Sequence, residues 1–251
     1  MGARDMKYIT HMLSRYGRAL LFGAWFYALI GLLPGQGYQT FLRPEFGGLL
    51  AVGLLVLIGF LFAEMGQLDR ELHFGLNETI HLLILMIPLA YLPIARGTSL
   101  DSNAFQRRWT GLSVENGGMT ALLNTNTNLD ISALQTERAR EVTVANLCRM
   151  PRAYKNQRIA VTGMIHRAPD IKKRFGNNAC VLFRFVITCC AADAMPAAIL
   201  LIGEVPADWP DDTWIRAEGQ FTLREDQGKP VPTLELSGAT RTAKPRRPYL
   251  Y

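Results

Sequence analysis

Residues 183–196 read FRFVITCCAADAMP, and this stretch decides how the carboxy-terminal half of the chain is interpreted. It begins as an apolar, strand-like run and ends with two adjacent thiols, Cys189 and Cys190, followed by the carboxylate of Asp193. If the strand continues to Cys190, its side chains alternate between two faces, and the two cysteines point in opposite directions. The stretch therefore predicts a β-rich domain with its chemistry concentrated at residues 189–193.

Alternating apolar and polar residues around this stretch predict further strands. A short helix is expected over residues 144–154 and a turn over residues 171–179. The additional strands are RIAVTGMIHRA (158–168), AAILLIG (197–203), TWIRAEGQFTL (213–223) and PTLELSGATRT (232–242). About five strands joined by polar turns favour a small, mainly-β, OB-like barrel over residues 141–251, with Gly163 and Gly219 at bends. A ferredoxin-like arrangement would need two convincing helices, which this stretch lacks.

Residues 1–96 form a separate region that is mostly apolar. Its three long segments, at about 19–40, 46–65 and 78–95, approach the ~20 residues that cross a hydrocarbon core of ~30 Å. They predict three transmembrane helices in a transmembrane domain. The third carries Pro88 and Pro93, which neighbouring helices can accommodate, and a buried soluble helix is the alternative for this segment.

Basic residues near the spans favour a cytoplasmic amino terminus, because the flank of the first helix usually sets the orientation. Four of them precede the first segment: Arg4, Lys7, Arg15 and Arg18. With three spans, the carboxy-terminal domain then lies outside the cytoplasm, and the chain is a multi-pass protein of the plasma membrane. Residues 97–140 read as a connector on which Phe105, Trp109 and Leu112 rest on lipid headgroups, or alternatively as a poorly ordered linker.

A thiol pair and a carboxylate within five residues suit a divalent metal such as zinc. Cys189, Cys190 and Asp193 are the candidate ligands, and His166 on the neighbouring predicted strand is a further candidate. The alternative is structural, since free cysteines are often buried and an aspartate often caps a turn. The sequence leaves undecided whether Cys148 and Cys180 pair with each other, or either of them with one of the adjacent cysteines, in a disulfide. It contains no CxxC pair, which would be the strongest sequence signal for zinc.

Polar residues at the ends of the predicted spans form a second candidate region. Glu64, Glu78 and His81 would meet at one interface if the second and third spans form a hairpin, either lining an ion path or simply reaching water. The basic run at residues 172–174 and the net charge of +6 fit anionic headgroups or solvent better than nucleic acid. No catalytic triad, phosphate loop or nucleotide fingerprint is present in the sequence, so an enzyme is not expected.

The motifs of residues 140–251 resemble the carboxy-terminal domain of the YcgQ-like proteins, an uncharacterised family described as one subunit of a two-component membrane permease complex. The resemblance rests on an R-F-x-(I/V)-x-(H/C)-C-x-A-D motif, a D-x-W-(I/V)-x-(A/V)-x-G strand and a terminal Pro-Tyr tail. The matching positions are Arg184, Phe185, Cys189, Cys190, Asp193, Trp214, Gly219, Pro248 and Tyr249. Some members carry a histidine-rich loop between the second and third spans, whereas this chain has only His73 there.

The resemblance implies a polytopic permease subunit as partner, in addition to the lipid bilayer. We therefore expect a non-catalytic subunit of a membrane transport complex, whose β-barrel domain receives or presents something outside the cytoplasm. The alternative is a membrane-anchored protein that senses metal or redox state without a permease.

Overall fold

A computed structural model describes residues 3–66, 76–95, 100–109 and 139–251 of the chain. The chain divides into two compact units, Met1–Ser99 and Leu100–Tyr251. The boundary gives residues 100–109, which the sequence assigned to a connector, to the carboxy-terminal unit.

The amino-terminal unit is helical. Its elements are α1 (Ala3–Leu32), two short 3-10 helices (Pro34–Thr40 and Pro44–Phe46), α2 (Gly47–Met65) and α3 (Leu76–Ala95). Helix α1 packs against both α2 and α3. The rings of Phe22 and Phe60 stack between α1 and α2 with centroids 5.6 Å apart.

Among the described residues, one helix is long and apolar enough to cross a membrane, Pro44–Glu64, and none of it is buried in the structure. The apolar part of α1, Ala19–Leu32, is shorter. The predicted extension of the first span to residue 40 is wrong, because α1 ends at Leu32 and a 3-10 helix begins at Pro34. Pro34 has no backbone N–H to donate to the helical hydrogen-bond ladder, which favours a helix end here. The predicted three-helix anchor is therefore not confirmed.

The carboxy-terminal unit is mainly β, as the sequence predicted. Helix α4 (Ser102–Arg108) opens it. The elements that follow are β1 (Arg140–Glu141), α5 (Val144–Arg149), α6 (Pro151–Tyr154), β2 (Arg158–His166), α7 (Pro169–Phe175), β3 (Ala179–Val186), β4 (Met195–Ile202), β5 (Trp214–Asp226) and β6 (Lys229–Arg241). The six strands form one sheet in the order β1-β2-β3-β4-β6-β5.

The sheet closes on itself, because β2 pairs with β5 as well as with β3. Neighbouring strands of the closed part are antiparallel except β4 and β6, which are parallel. A closed five-strand order with one parallel contact agrees with the OB-like arrangement that the strand spacing predicted. Strand β1 adds only a two-residue parallel edge to β2.

Gly219 marks a β-bulge, as the sequence predicted for a bend. The register between β5 and β6 shifts between Glu218 and Gly219. A Cβ at Gly219 would lie 2.0 Å from the backbone oxygen of Glu235, so a side chain cannot be placed there without moving β6. The bulge lets this long hairpin bend with the barrel.

Strand β3 is buried along its whole length, which explains its nearly continuous apolar sequence. Cys180, Leu182 and Val186 pack in one core cluster, to which α5 and α6 contribute. Val181, Phe183 and Phe185 pack in a second cluster, which α4 and α7 cover. The predicted alternation is confirmed within the strand, but β3 ends at Val186, and the cysteine pair lies beyond it.

Two segments differ from the sequence prediction. Residues 169–175 form the helix α7 rather than part of a turn. Pro169 stands at the start of this helix, and its Ile171 side chain is buried against the core. Phe105 does not rest on lipid headgroups. It is 2 % exposed in the second core cluster, where its ring lies 4.3 Å from that of Phe183.

Candidate metal centre

The candidate metal centre is the short connection between β3 and β4. After Val186 the chain turns through residues 187–190, forms a single 3-10 turn at Ala191–Asp193, and enters β4 at Met195. Ile187 is fully buried, whereas Thr188 and Cys189 are exposed and Cys190 is half-buried. The motif therefore emerges at the surface from one of the best-packed strands of the barrel.

The carboxylate of Asp193 organises this turn. Its Oδ1 accepts a hydrogen bond from the backbone N–H of Thr188 at 3.0 Å. Its Oδ2 accepts from the backbone N–H groups of Cys189 at 2.7 Å and Cys190 at 3.3 Å. Three N–H donors on one carboxylate fix its position and favour its ionised form.

The thiols belong to the same hydrogen-bond network. The Cys190 side chain accepts from the backbone N–H of Asp193, which completes a reciprocal cap on the 3-10 turn. Hydrogen bonding to the Asp193 carboxylate, and then to the neighbouring Cys190 thiol, raises the pKa of Cys189 to about 11. For Asp193, partial burial raises the pKa, but hydrogen bonds from the Cys189 thiol and the three backbone N–H groups outweigh it and lower the pKa overall.

The ligand atoms of Cys189, Cys190 and Asp193 all lie within 4.8 Å of one another. Tetrahedral zinc with bonds of about 2.3 Å to sulfur places two thiolates about 3.8 Å apart, so a small closing movement would suffice to bind the ion. The two cysteines do not diverge to opposite faces as an uninterrupted strand would require, because the strand has already ended. The residues present fit a soft divalent metal.

Helix α4 braces the turn from the side. The Nη1 atom of Arg108 donates to the backbone oxygens of Ala191, at 3.2 Å, and Ala194, at 3.0 Å. The amino end of α4 is fixed as well, because the backbone N–H and the hydroxyl of Ser102 donate to the carboxylate of Asp212 at 2.6 and 2.8 Å. No sequence pattern pointed to Arg108, which lies more than 80 positions before the turn that it holds.

The carboxy-terminal tail supports the turn from below. Leu250 bridges to Val186 in parallel, its N–H donating to the Phe185 oxygen at 2.8 Å and its oxygen accepting from the Ile187 N–H at 2.9 Å. Arg184 holds the tail by donating to the backbone oxygens of Pro248 and Arg247 at 3.2 and 2.6 Å.

The motif positions Arg184, Phe185 and Trp214 thereby acquire structural roles. The Arg184 guanidinium lies over the Trp214 ring, 5.5 Å from its centroid. Burial lowers the pKa of Arg184 to about 10, which leaves it charged at neutral pH. Phe185 is fully buried and meets Phe183 edge to face.

His166 is not part of the thiol and carboxylate group. It is 3 % exposed, its Nδ1 lies 2.7 Å from Asp211 Oδ2, and its Nε2 lies 3.0 Å from Gln106 Nε2. Both ring nitrogens are therefore occupied in joining β2 to α4 and to the loop before β5. Asp211 also accepts from the backbone N–H of Arg167 at 3.0 Å, which fixes its carboxylate.

All four cysteines are free. Cys148 donates to the Ala198 oxygen at 3.3 Å, and burial raises its pKa to about 12. Burial likewise raises the pKa of Cys180 to about 11. These two thiols belong to the core, whereas Cys189 and Cys190 lie at the surface turn.

The predicted meeting of Glu64, Glu78 and His81 stays a prediction. Glu64 lies in α2 and His81 is exposed on α3, but residues 67–75 between these helices and the side chain of Glu78 lie outside the described residues. The predicted contact of Leu112 with headgroups also lies outside them.

The described residues thus combine a closed, mainly-β domain, a surface turn with two thiols and one carboxylate, and one helix that is long and apolar enough to cross a membrane. The chain belongs to the DUF1980 C-terminal domain family, whose match covers residues 121–251. The match includes the whole barrel and the cysteine turn. No curated protein matches the chain.

Proposed function

We propose that this chain is a non-catalytic subunit of a membrane transport complex, and that its barrel binds a divalent metal such as zinc through Cys189, Cys190 and Asp193. The single observation that carries the proposal is the convergence of these three ligand atoms within 4.8 Å at a surface turn. Thiolate pairs select zinc and other soft divalent metals over magnesium and calcium.

The hydrogen bonds of the turn support binding rather than a purely structural role. A turn could be capped by a single bond to one backbone N–H, but Asp193 accepts from three. The thiols that accompany it are the two of the chain that lie outside the core clusters, whereas Cys180 is buried in the core and Cys148 packs against it. Bound metal would displace the thiol protons and neutralise the charge of the thiolates that result.

The helical unit supports membrane attachment and a membrane partner. Helix α2 satisfies the length and hydropathy of a span, and large apolar side chains on α2 and α3 are exposed, among them Leu55, Phe62, Leu83 and Ile87. We propose that α1 and α3 also cross the membrane beside α2, with the amino terminus in the cytoplasm and the barrel outside it. The exposed apolar faces would then contact lipid and the polytopic permease subunit that the YcgQ-like resemblance implies.

Purification of the full chain from its native membranes in mild detergent tests both parts of the proposal. We expect a stoichiometric polytopic partner and about one divalent metal per chain by elemental analysis. Cys190→Ser and Asp193→Asn should lose the metal and retain the fold. Cys148→Ser is the matched control, because a hydroxyl can also donate to the Ala198 oxygen, and it should keep the metal.

A metal-loaded chain that is monodisperse and has no partner in native membranes would instead favour the second candidate, a metal or redox sensor that acts without a permease. The exposed Cys189 beside Cys190 is the observation that favours this candidate, since neighbouring surface thiols respond to both metals and oxidants. A chain without metal, in which all three variants behave alike, would refute the metal site.

A further inference from the structure

We propose that the metal site is one ligand short and that its fourth position is taken by an imidazole or thiolate of a partner protein. The inference rests on the proposed function, since it describes how the same site would pass its metal on. Three observations support it: the number of ligands at the turn, the hydrogen bonds that the Asp193 carboxylate already accepts, and the solvent exposure of one side of the turn.

The turn supplies three ligand atoms. Among the described residues, the group formed by Cys189, Cys190 and Asp193 contains no fourth histidine, cysteine, aspartate or glutamate. Structural zinc sites are closed by four protein ligands, whereas sites that exchange a ligand hold three and leave one position open. The three ligands at this turn match a site with one open position.

The carboxylate cannot make up the missing ligand by binding through both oxygens. Asp193 Oδ2 already accepts two backbone N–H groups, those of Cys189 and Cys190, which uses both of its lone pairs. Oδ1 accepts one backbone N–H, from Thr188, and one lone pair can bind a metal once the Cys189 thiol, which also bonds to this carboxylate, has lost its proton. Asp193 is thus a one-atom ligand as long as the turn keeps its hydrogen bonds.

The imidazole of the barrel cannot complete the site either. His166 is 3 % exposed, and both of its ring nitrogens are engaged, with Asp211 and with Gln106. Recruiting it would break the contacts that fix α4 to the barrel. Residues 100–251 contain no other histidine, and their remaining cysteines, Cys148 and Cys180, pack in or against the core, so a further imidazole or thiolate would come from outside the carboxy-terminal unit.

The open position faces solvent. Thr188, Cys189 and Ala192 are exposed, while the opposite side of the turn is closed by Arg108 and by the backbone of the tail at Leu250. A partner can therefore approach a bound metal directly, add its ligand, and take the ion over as the thiolates are released one at a time. This sequence involves ligand exchange only, and no atom is oxidised or reduced.

The test uses the full chain in detergent, loaded with zinc, and imidazole as the probe. X-ray absorption at the zinc edge should show two sulfur and two lighter neighbours without the scattering of a histidine ring. Added imidazole should then introduce the scattering of one ring in a saturable manner. In the cobalt-loaded protein, the visible absorption bands of the tetrahedral ion should shift with the same saturation.

Cys148→Ser is the control that should respond to imidazole as the unaltered chain does, and Cys189→Ser should weaken the sulfur-to-cobalt charge-transfer band, because only the Cys190 thiolate then remains. Ring scattering before imidazole is added, with no spectral response afterwards, would overturn the inference, because the site would already be closed by a histidine of residues 1–99. That outcome would leave the proposed metal binding intact. Failure to bind zinc or cobalt at all would refute the proposed metal site and the inference with it.

Discussion

The docking of α4 on the barrel gives the sharpest test of the architecture around the turn. Phe105 is 2 % exposed and lies against Phe183 and Trp109, with ring centroids 4.3 and 4.5 Å away. Truncating a buried phenylalanine to alanine costs about 3–5 kcal/mol. Since about 1.4 kcal/mol corresponds to a factor of ten, Phe105→Ala should increase the local opening of α4 by about 100- to 4,000-fold.

Hydrogen exchange of the backbone amides in the full chain measures this opening directly. Peptides that cover residues 102–108 should exchange faster in Phe105→Ala, while those of β5 and β6 should change far less. Asn103→Ala is the matched control, because Asn103 is exposed on the same helix and its side chain donates to half-buried Asp101 at the start of that helix rather than to the barrel. Metal affinity should fall as well, since Arg108 is then no longer held against the turn. Unchanged exchange across residues 102–108 would show that Phe105 does not hold α4 to the barrel.

Three further predictions concern the thiols, the bulge and the topology. In the metal-free full chain, alkylation should reach exposed Cys189 long before Cys148, whose pKa burial raises to about 12, and zinc should slow the reaction at Cys189; equal rates would contradict the assigned burial. Gly219→Ala should destabilise the barrel by about 1–3 kcal/mol in thermal or denaturant unfolding, because a backbone oxygen lies 2.0 Å from the new Cβ. The control Gly238→Ala should be neutral, because its new Cβ meets nothing within 4 Å, and equal effects of the two changes would refute the close approach. A reporter joined by a linker after Tyr251 should be active outside the cytoplasm, and activity confined to the cytoplasm would reverse the proposed orientation.

The strands could be predicted because the burial of each strand leaves a pattern in its sequence, either alternation or a continuous apolar run. Strand β5 alternates between buried and less buried residues over its first half, and β3 is apolar apart from Arg184 because both of its faces meet a core cluster. These patterns are local, so a single sequence carries them. The bulge at Gly219 could be predicted for the same reason, because a glycine inside a strand is itself a local signal of a bend.

The partners of the turn could not be predicted, because they come from distant parts of the chain. Arg108 reaches it from α4, and Leu250 pairs beside it from the tail. The end of β3 at Val186 was also missed, since the apolar sequence continues for one more residue and Ile187 is buried although it lies outside the strand. The resemblance marked the tail as important, but it did not indicate what the tail touches.

The pairing of the tail with β3 has a consequence for synthesis. Ile187 gains its hydrogen bond from Leu250, which the ribosome adds roughly 60 residues later. At about 5–20 residues per second, the turn stays unsupported for several seconds while the rest of the barrel emerges. The turn therefore gains this support only when the last residues have been made and have folded back, so we expect a partly made chain to hold the proposed metal more weakly.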